Sequence, residues 1–127
     1  MKLAVLSVFL ATLILFAKSQ KWIPVDASEI ENNHLIKELL TFGVDLLIEE
    51  GHKDGMIPDN DLVLQEIDSV ETSSAGELRY RYHVVMGNKR GATLTAVYIV
   101  DYDPETGEKS LDNEYRGYDY EASYSEL

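Results

Sequence analysis

The chain has 127 residues, a formal net charge of −12, no cysteine and 45% hydrophobic residues. That length holds one small domain, and the charge repels nucleic acid and anionic lipid while favouring basic partners or plain solubility. The missing thiols exclude disulfides, thiol catalysis and Cys-ligated zinc, and the absence of an Asn-x-Ser/Thr sequon excludes N-glycosylation.

Residues 1–19 carry Lys2, an apolar or small run over 3–16, and Ala17-Lys18-Ser19 in the small-x-small pattern of a cleavage site. This predicts a secretory signal peptide and a secreted, extracellular product, expected as a monomer with a swapped dimer as the open alternative. The run is too short to span a bilayer comfortably and no second one follows, so no membrane partner is expected. Loss of Lys2 and Lys18 makes the remaining chain still more acidic.

A first domain is expected over 20–116. Trp22, Ile23 and Val25 fit a short edge strand limited by Pro24, or equally a loose arm. One long helix is predicted over 28–50, with Ser28 and Glu31 as a capping box and Gly51 as its stop. Leu35, Leu39, Phe42 and Leu46 form one stripe, and Ile36, Leu40, Gly43 and Leu47 another beside it, so a broad apolar face needs a cover. Gly43 within that face predicts a close approach by a neighbouring backbone. Residues 51–61 read as a linker, with His52 lacking any metal-like partner.

From Leu62 the hydrophobic period changes to two. Leu62 and Leu64 share a face, Ile67 breaks the alternation as a bulge would, and 71–76 reads as a loop. The next strand alternates Leu78, Tyr80, Tyr82, Val84 and Met86 against Arg79, Arg81 and His83, predicting one face on the helix and one in water. After a turn at 87–91 come Leu94, Ala96, Tyr98, Val100 and Tyr102, a hairpin at 103–107, and a short last strand at 109–112. The fold class is α+β: one long helix on a four- to five-stranded antiparallel sheet.

Chemistry is scarce. His34, His52 and His83 have no nucleophile at triad spacing, so an enzyme is not expected. Asp101, Asp103 and Glu105 resemble the start of a calcium loop, but glycine comes one place late at Gly107 and a hairpin turn explains the same residues. No cofactor or metal is expected.

The order of signal peptide, single helix, strand, loop ending Ala75-Gly76, Tyr-rich strand, and late Pro-bearing hairpin resembles the cystatins, secreted inhibitors of papain-like cysteine proteases. The resemblance implies a cystatin-like fold and a protease-binding wedge at Thr72, Ser73, Ser74, Ala75, Gly76, Pro104 and Glu105. Where the family reads Q-x-V-x-G in its first loop this chain has Thr72 and Ser74 at the Gln and Val positions, and only Gly76 matches. Glu105 stands where the second hairpin has Trp, and the N-terminal segment lacks a glycine. The wedge is degenerate, and a non-inhibitory binding or structural role in a secreted fluid is the alternative. The run from Asp112 to Leu127 departs from the family as a disordered or loosely held stretch with Tyr115, Tyr118, Tyr120 and Tyr124 as candidate sulfation sites, and 117–127 forms an acidic, tyrosine-rich tail open to a basic protein.

Overall fold

The computed structural model describes residues 21–73 and 78–122. The expected signal peptide, Ser74, Ala75, Gly76 and Tyr124 lie outside these residues. The elements run β1 (Trp22–Pro24), α1 (Ala27–Asn32), α2 (His34–Lys53), β2 (Val63–Ser73), β3 (Leu78–Gly87), β4 (Ala92–Tyr102) and β5 (Lys109–Ala122). The strands form one antiparallel sheet in sequence order, with α2 packed across one face, an α+β arrangement. Among the described residues no helix is long and apolar enough to cross a membrane.

The single helix expected over 28–50 is two helices broken at Asn33. Asn33 has φ −100° and ψ 109°, and its carbonyl Oδ1 accepts from the N–H groups of Leu35 (2.9 Å) and Ile36 (3.3 Å). A side-chain acceptor that satisfies two backbone donors competes with continued helix, and such a cap is worth about 1 kcal/mol. The Ser28–Glu31 box is not used, since Asp26 stands at the N-cap of α1 without a side-chain cap bond. At the other end α2 runs through Gly51 to Lys53, and the left-handed turn falls on Gly55 at φ 73°. Gly51 is buried because Ile57 folds back over it, with the N–H groups of Met56 and Ile57 donating to the Gly51 carbonyl.

The presumed linker 51–61 therefore contributes Ile57 to the core and buries Gly51 and Asp59. Ile57 is 1% exposed, and His52 Nδ1 lies 2.6 Å from the Ile57 carbonyl oxygen. Asp59, 3% exposed, accepts from Arg90 on the β3–β4 turn and from the Tyr120 hydroxyl on β5. Linker composition concealed this because Met56 and Ile57 are the two large apolar residues among turn formers, and only Ile57 is buried.

The apolar face of α2 centres on Ile36, Leu39, Leu40, Gly43, Val44 and Leu47, while Leu35, Phe42 and Leu46 lie at its margin. Opposite it the predicted alternation on β3 and β4 holds: Tyr80, Tyr82, Val84, Met86, Leu94, Ala96, Tyr98 and Val100 are buried. Tyr82 and Tyr98 are cross-strand partners whose rings stack at 5.2 Å. Their hydroxyls donate to the carbonyls of Ile36 (2.8 Å) and Leu40 (2.7 Å), one helical turn apart. Two phenols thus fix the height and rotation of the helix on the sheet while burying their rings. Gly43 does permit a close approach, but by the Tyr98 ring rather than by backbone: a Cβ there would lie 2.3 Å from Tyr98 Cε2.

Burial raises the Tyr82 and Tyr98 phenols well above the usual tyrosine range, helped by neighbouring tyrosines at Tyr82 and by Asp45 at Tyr98. A group whose folded pKa exceeds its unfolded value stabilises fully below the unfolded value, near 10, and loses that contribution as pH rises above it. The domain is expected to lose stability progressively above about pH 10, with the last fraction of tyrosinate absorbance, that of the two buried rings, appearing only together with the loss of far-ultraviolet circular dichroism. Tyrosinate formation at these two rings before any loss of ellipticity is the contrary result.

Two sequence expectations for the sheet are revised. Residues 71–73 are strand, not loop: all three pair with β1, and Glu71 and Thr72 also with β3. The tail expected from 117 onward continues β5 through Ala122: Tyr118 and Tyr120 register with Ala96 and Leu94 and pack on the core, while Asp119 faces out. Its tyrosines are the apolar half of a period-two pattern, so their mixture with acids read as polarity alone. The bulge at Ile67 is present, with register shifts between Leu64 and Glu66 and between Ile67 and Ser69.

Candidate functional site

One end of the sheet gathers three segments. Trp22 begins β1 opposite Ser73, the 74–77 connection joins β2 to β3, and the β4–β5 turn closes next to the start of β3. A cavity of about 480 Å3 is shared by Leu78 and Arg79 from β3 with Tyr102, Pro104, Glu108 and Lys109 around that turn.

The sequence-predicted site residues separate into three groups. Thr72 and Ser73 belong to the sheet: Thr72 Oγ1 donates to the Arg79 carbonyl at 3.3 Å, and Ser73 is 8% exposed. Neither sits at a loop tip. Ser74, Ala75 and Gly76 fall outside the described residues. Pro104 and Glu105 occupy an exposed, well-braced turn. Asp103 accepts from the Glu105 N–H through its carboxylate (2.9 Å) and from the Gly107 N–H through its carbonyl (2.7 Å), while its own N–H donates to Glu108. Gly107 takes φ 77°, which explains why a glycine stands there. Asp103 is thus committed to the turn and Asp101 to Arg79, which accounts for the calcium-like spacing.

The face of β3 expected to be merely solvated carries an ordered network. Arg79 pairs with Asp101 and with Asp112 (3.3 Å), and Arg81 with Glu71 (2.8 Å). The Arg81 guanidinium lies 4.6 Å from the Trp22 ring and 5.6 Å from that of Tyr115, so it is held between two aromatic faces. Tyr115 reaches this position because β5 spends residues 112–115 opposite the single residue Ile99, an excursion in which Asp112 Oδ2 accepts from the N–H groups of Glu114 and Tyr115. Ile99 is 5% exposed although it faces away from the helix. The stack pins both sheet margins to β3, and each contact is of the cation–π type worth about 0.5–1 kcal/mol when partly exposed. The signal available in sequence was the set of acids, Glu71 and Asp101, at outward positions flanking the two arginines, but their register is a tertiary fact.

His83 stands beside Asp68 at 3.4 Å and His34 opens α2, so the three histidines occupy separate places. Among the described residues no three His, Asp or Glu side chains are grouped to hold a metal. No protein-family model matches the sequence, and none of the curated proteins does.

Proposed function

We propose that this chain is a secreted, cystatin-like protein that reversibly inhibits papain-like cysteine endopeptidases with the end of its sheet bearing Trp22, the 74–77 connection and the Pro104–Glu105 turn. The observation that carries this reading is that the start of β1 is registered on Ser73 at the end of β2, while the β4–β5 turn shares a cavity with the start of β3. Element order supports it too, since a helical N-terminal part followed by sequential antiparallel strands is what the resemblance implies, although the helix is here divided in two. Such an end inhibits by filling a cleft with preorganised turns, and the hydrogen-bonded 103–108 segment loses little entropy on docking.

The altered residues set the strength. Glu105 places a charge where an apolar contact would be buried, and Ser74 removes a branched side chain. At about 1.5–3 kcal/mol for each large side chain, binding falls from nanomolar toward micromolar.

The full chain is expected to inhibit papain competitively in the micromolar range, and Glu105→Trp is expected to tighten inhibition by about tenfold or more. Titration against a fluorogenic substrate measures both. A folded protein that leaves papain and a cathepsin L-like enzyme untouched at about 100 µM, with Glu105→Trp no better, sinks the inhibitor reading. The pairing of Thr72 and Ser73 within the sheet favours a second reading, a non-inhibitory binding role on the same scaffold, and that result would leave it standing.

A further inference from the structure

Strand β2 is 11 residues long, yet β1 pairs only with its last 3, Glu71 to Ser73. The Val25 N–H adds one bond to the Val70 carbonyl (2.9 Å), and the chain then leaves for α1. Over 63–69 no described strand lies on that side of β2. An edge of this length presents a row of backbone donors and acceptors to any extended chain.

Two features qualify this edge as a docking surface and define its occupant. It is apolar at both ends: Val63 is 60% and Leu64 43% exposed, and beside 67–71 a groove of about 400 Å3 is lined by Pro24, Val25, Ile30, Ile67 and Val70. Its walls are uniformly acidic. Neither 22–36 nor 54–78 contains a lysine or arginine, while Asp26, Glu29, Glu31, Glu66 and Asp68 are all exposed along them. A second copy of the chain would bring like charges together across two bulged edges, the usual guard against self-pairing.

We propose that the open edge of β2 takes up an extended cationic segment of a partner protein, which adds to the sheet as a strand in line with β1. Its backbone bonds to 63–69, its apolar side chains enter the groove beside α1, and its lysines or arginines, on the opposite face, meet Glu66 and Asp68. This edge lies across the sheet from β5 and does not depend on the protease-binding end.

The test uses the full chain and a labelled peptide of about ten residues alternating lysine and valine, with binding read by fluorescence anisotropy. Two comparators are the same peptide N-methylated at alternate residues, which keeps charge but removes donors, and an alternating glutamate–valine peptide. Binding of the lysine peptide is expected to weaken at least about tenfold on N-methylation and on the double change Glu66→Lys with Asp68→Lys, and to slow amide exchange over 63–69. Both substituted residues are exposed, and circular dichroism verifies that the variant is folded. No binding of the lysine peptide, unchanged affinity after N-methylation or charge reversal, or unprotected amides over 63–69 would each overturn strand addition in favour of diffuse electrostatic attraction or none.

Discussion

Gly43→Ala is expected to destabilise the domain by about 2 kcal/mol, although alanine is the better helix former by about 1 kcal/mol. The sign follows from what a methyl group meets. A Cβ at position 43 would stand 2.3 Å from Cε2 and 2.4 Å from Cδ2 of Tyr98, and 3.0 Å from Val100 Cγ2. The ring has nowhere to retreat: Tyr98 is fully buried, stacked on Tyr82, and tied through its hydroxyl to the Leu40 carbonyl in the same helix. Relief requires the helix to rise from the sheet or the hydroxyl to give up its acceptor. Overpacking of this kind costs about 1–3 kcal/mol and a lost buried hydrogen bond about 1 kcal/mol more, which outweighs the gain in propensity. Urea unfolding measures the change as a shift in midpoint. Pairing Gly43→Ala with Tyr98→Leu should recover part of the loss, because the smaller side chain vacates the contested space. A Gly43→Ala protein at least as stable as the parent would show that the helix does not rest on the Tyr98 ring.

Asp59→Ala is expected to cost about 2–3 kcal/mol, and Asp59→Asn distinctly less. The carboxylate is 3% exposed in a segment that looks like connecting loop, and it joins that segment to the Tyr120 hydroxyl on β5 and Arg90 on the β3–β4 turn. Arg90 is 57% exposed at its side chain, so its charge returns to water at little cost and the pair itself contributes modestly. The larger share is the hydrogen bonding of Asp59 in its buried position. Asparagine keeps an acceptor of the same shape, whereas alanine leaves a void beside Tyr120. Comparing urea midpoints of the two variants separates these contributions. An Asp59→Ala midpoint indistinguishable from the parent's would reduce the 54–62 segment to the linker its composition resembles.

The two substitutions mark where the chain was readable and where it was not. The alternation on β3 and β4, the bulge at Ile67 and the hairpin turn at 103–107 follow from short-range rules, because side-chain direction along a strand and the φ demands of a turn are set within a few residues. The charge and the lack of cysteine are equally properties of the chain as written.

The helix break shows the limit of such rules. Both Ser28–Glu31 and Asn33 offer a cap, and the one used is the one that lets Ile36, Leu39 and Leu40 face the sheet. Only contact decided it. The same holds for β5, where Tyr118 and Tyr120 look like tail residues until Ala96 and Leu94 supply the surface they cover.

Of the candidate site, Pro104 and Glu105 were placed correctly on an exposed turn, since Asp103 and Gly107 write that turn locally. Thr72 and Ser73 were not, because pairing with β1 and β3 draws them into the sheet. Sequence by itself determined the period of β3 and β4, the acidic charge and the turn chemistry, all of which depend on neighbours along the chain. Tertiary structure decided the helix break, the Trp22–Arg81–Tyr115 stack, the burial of Asp59 and the open edge of β2, since each depends on residues far apart in sequence meeting at a register that no local preference specifies.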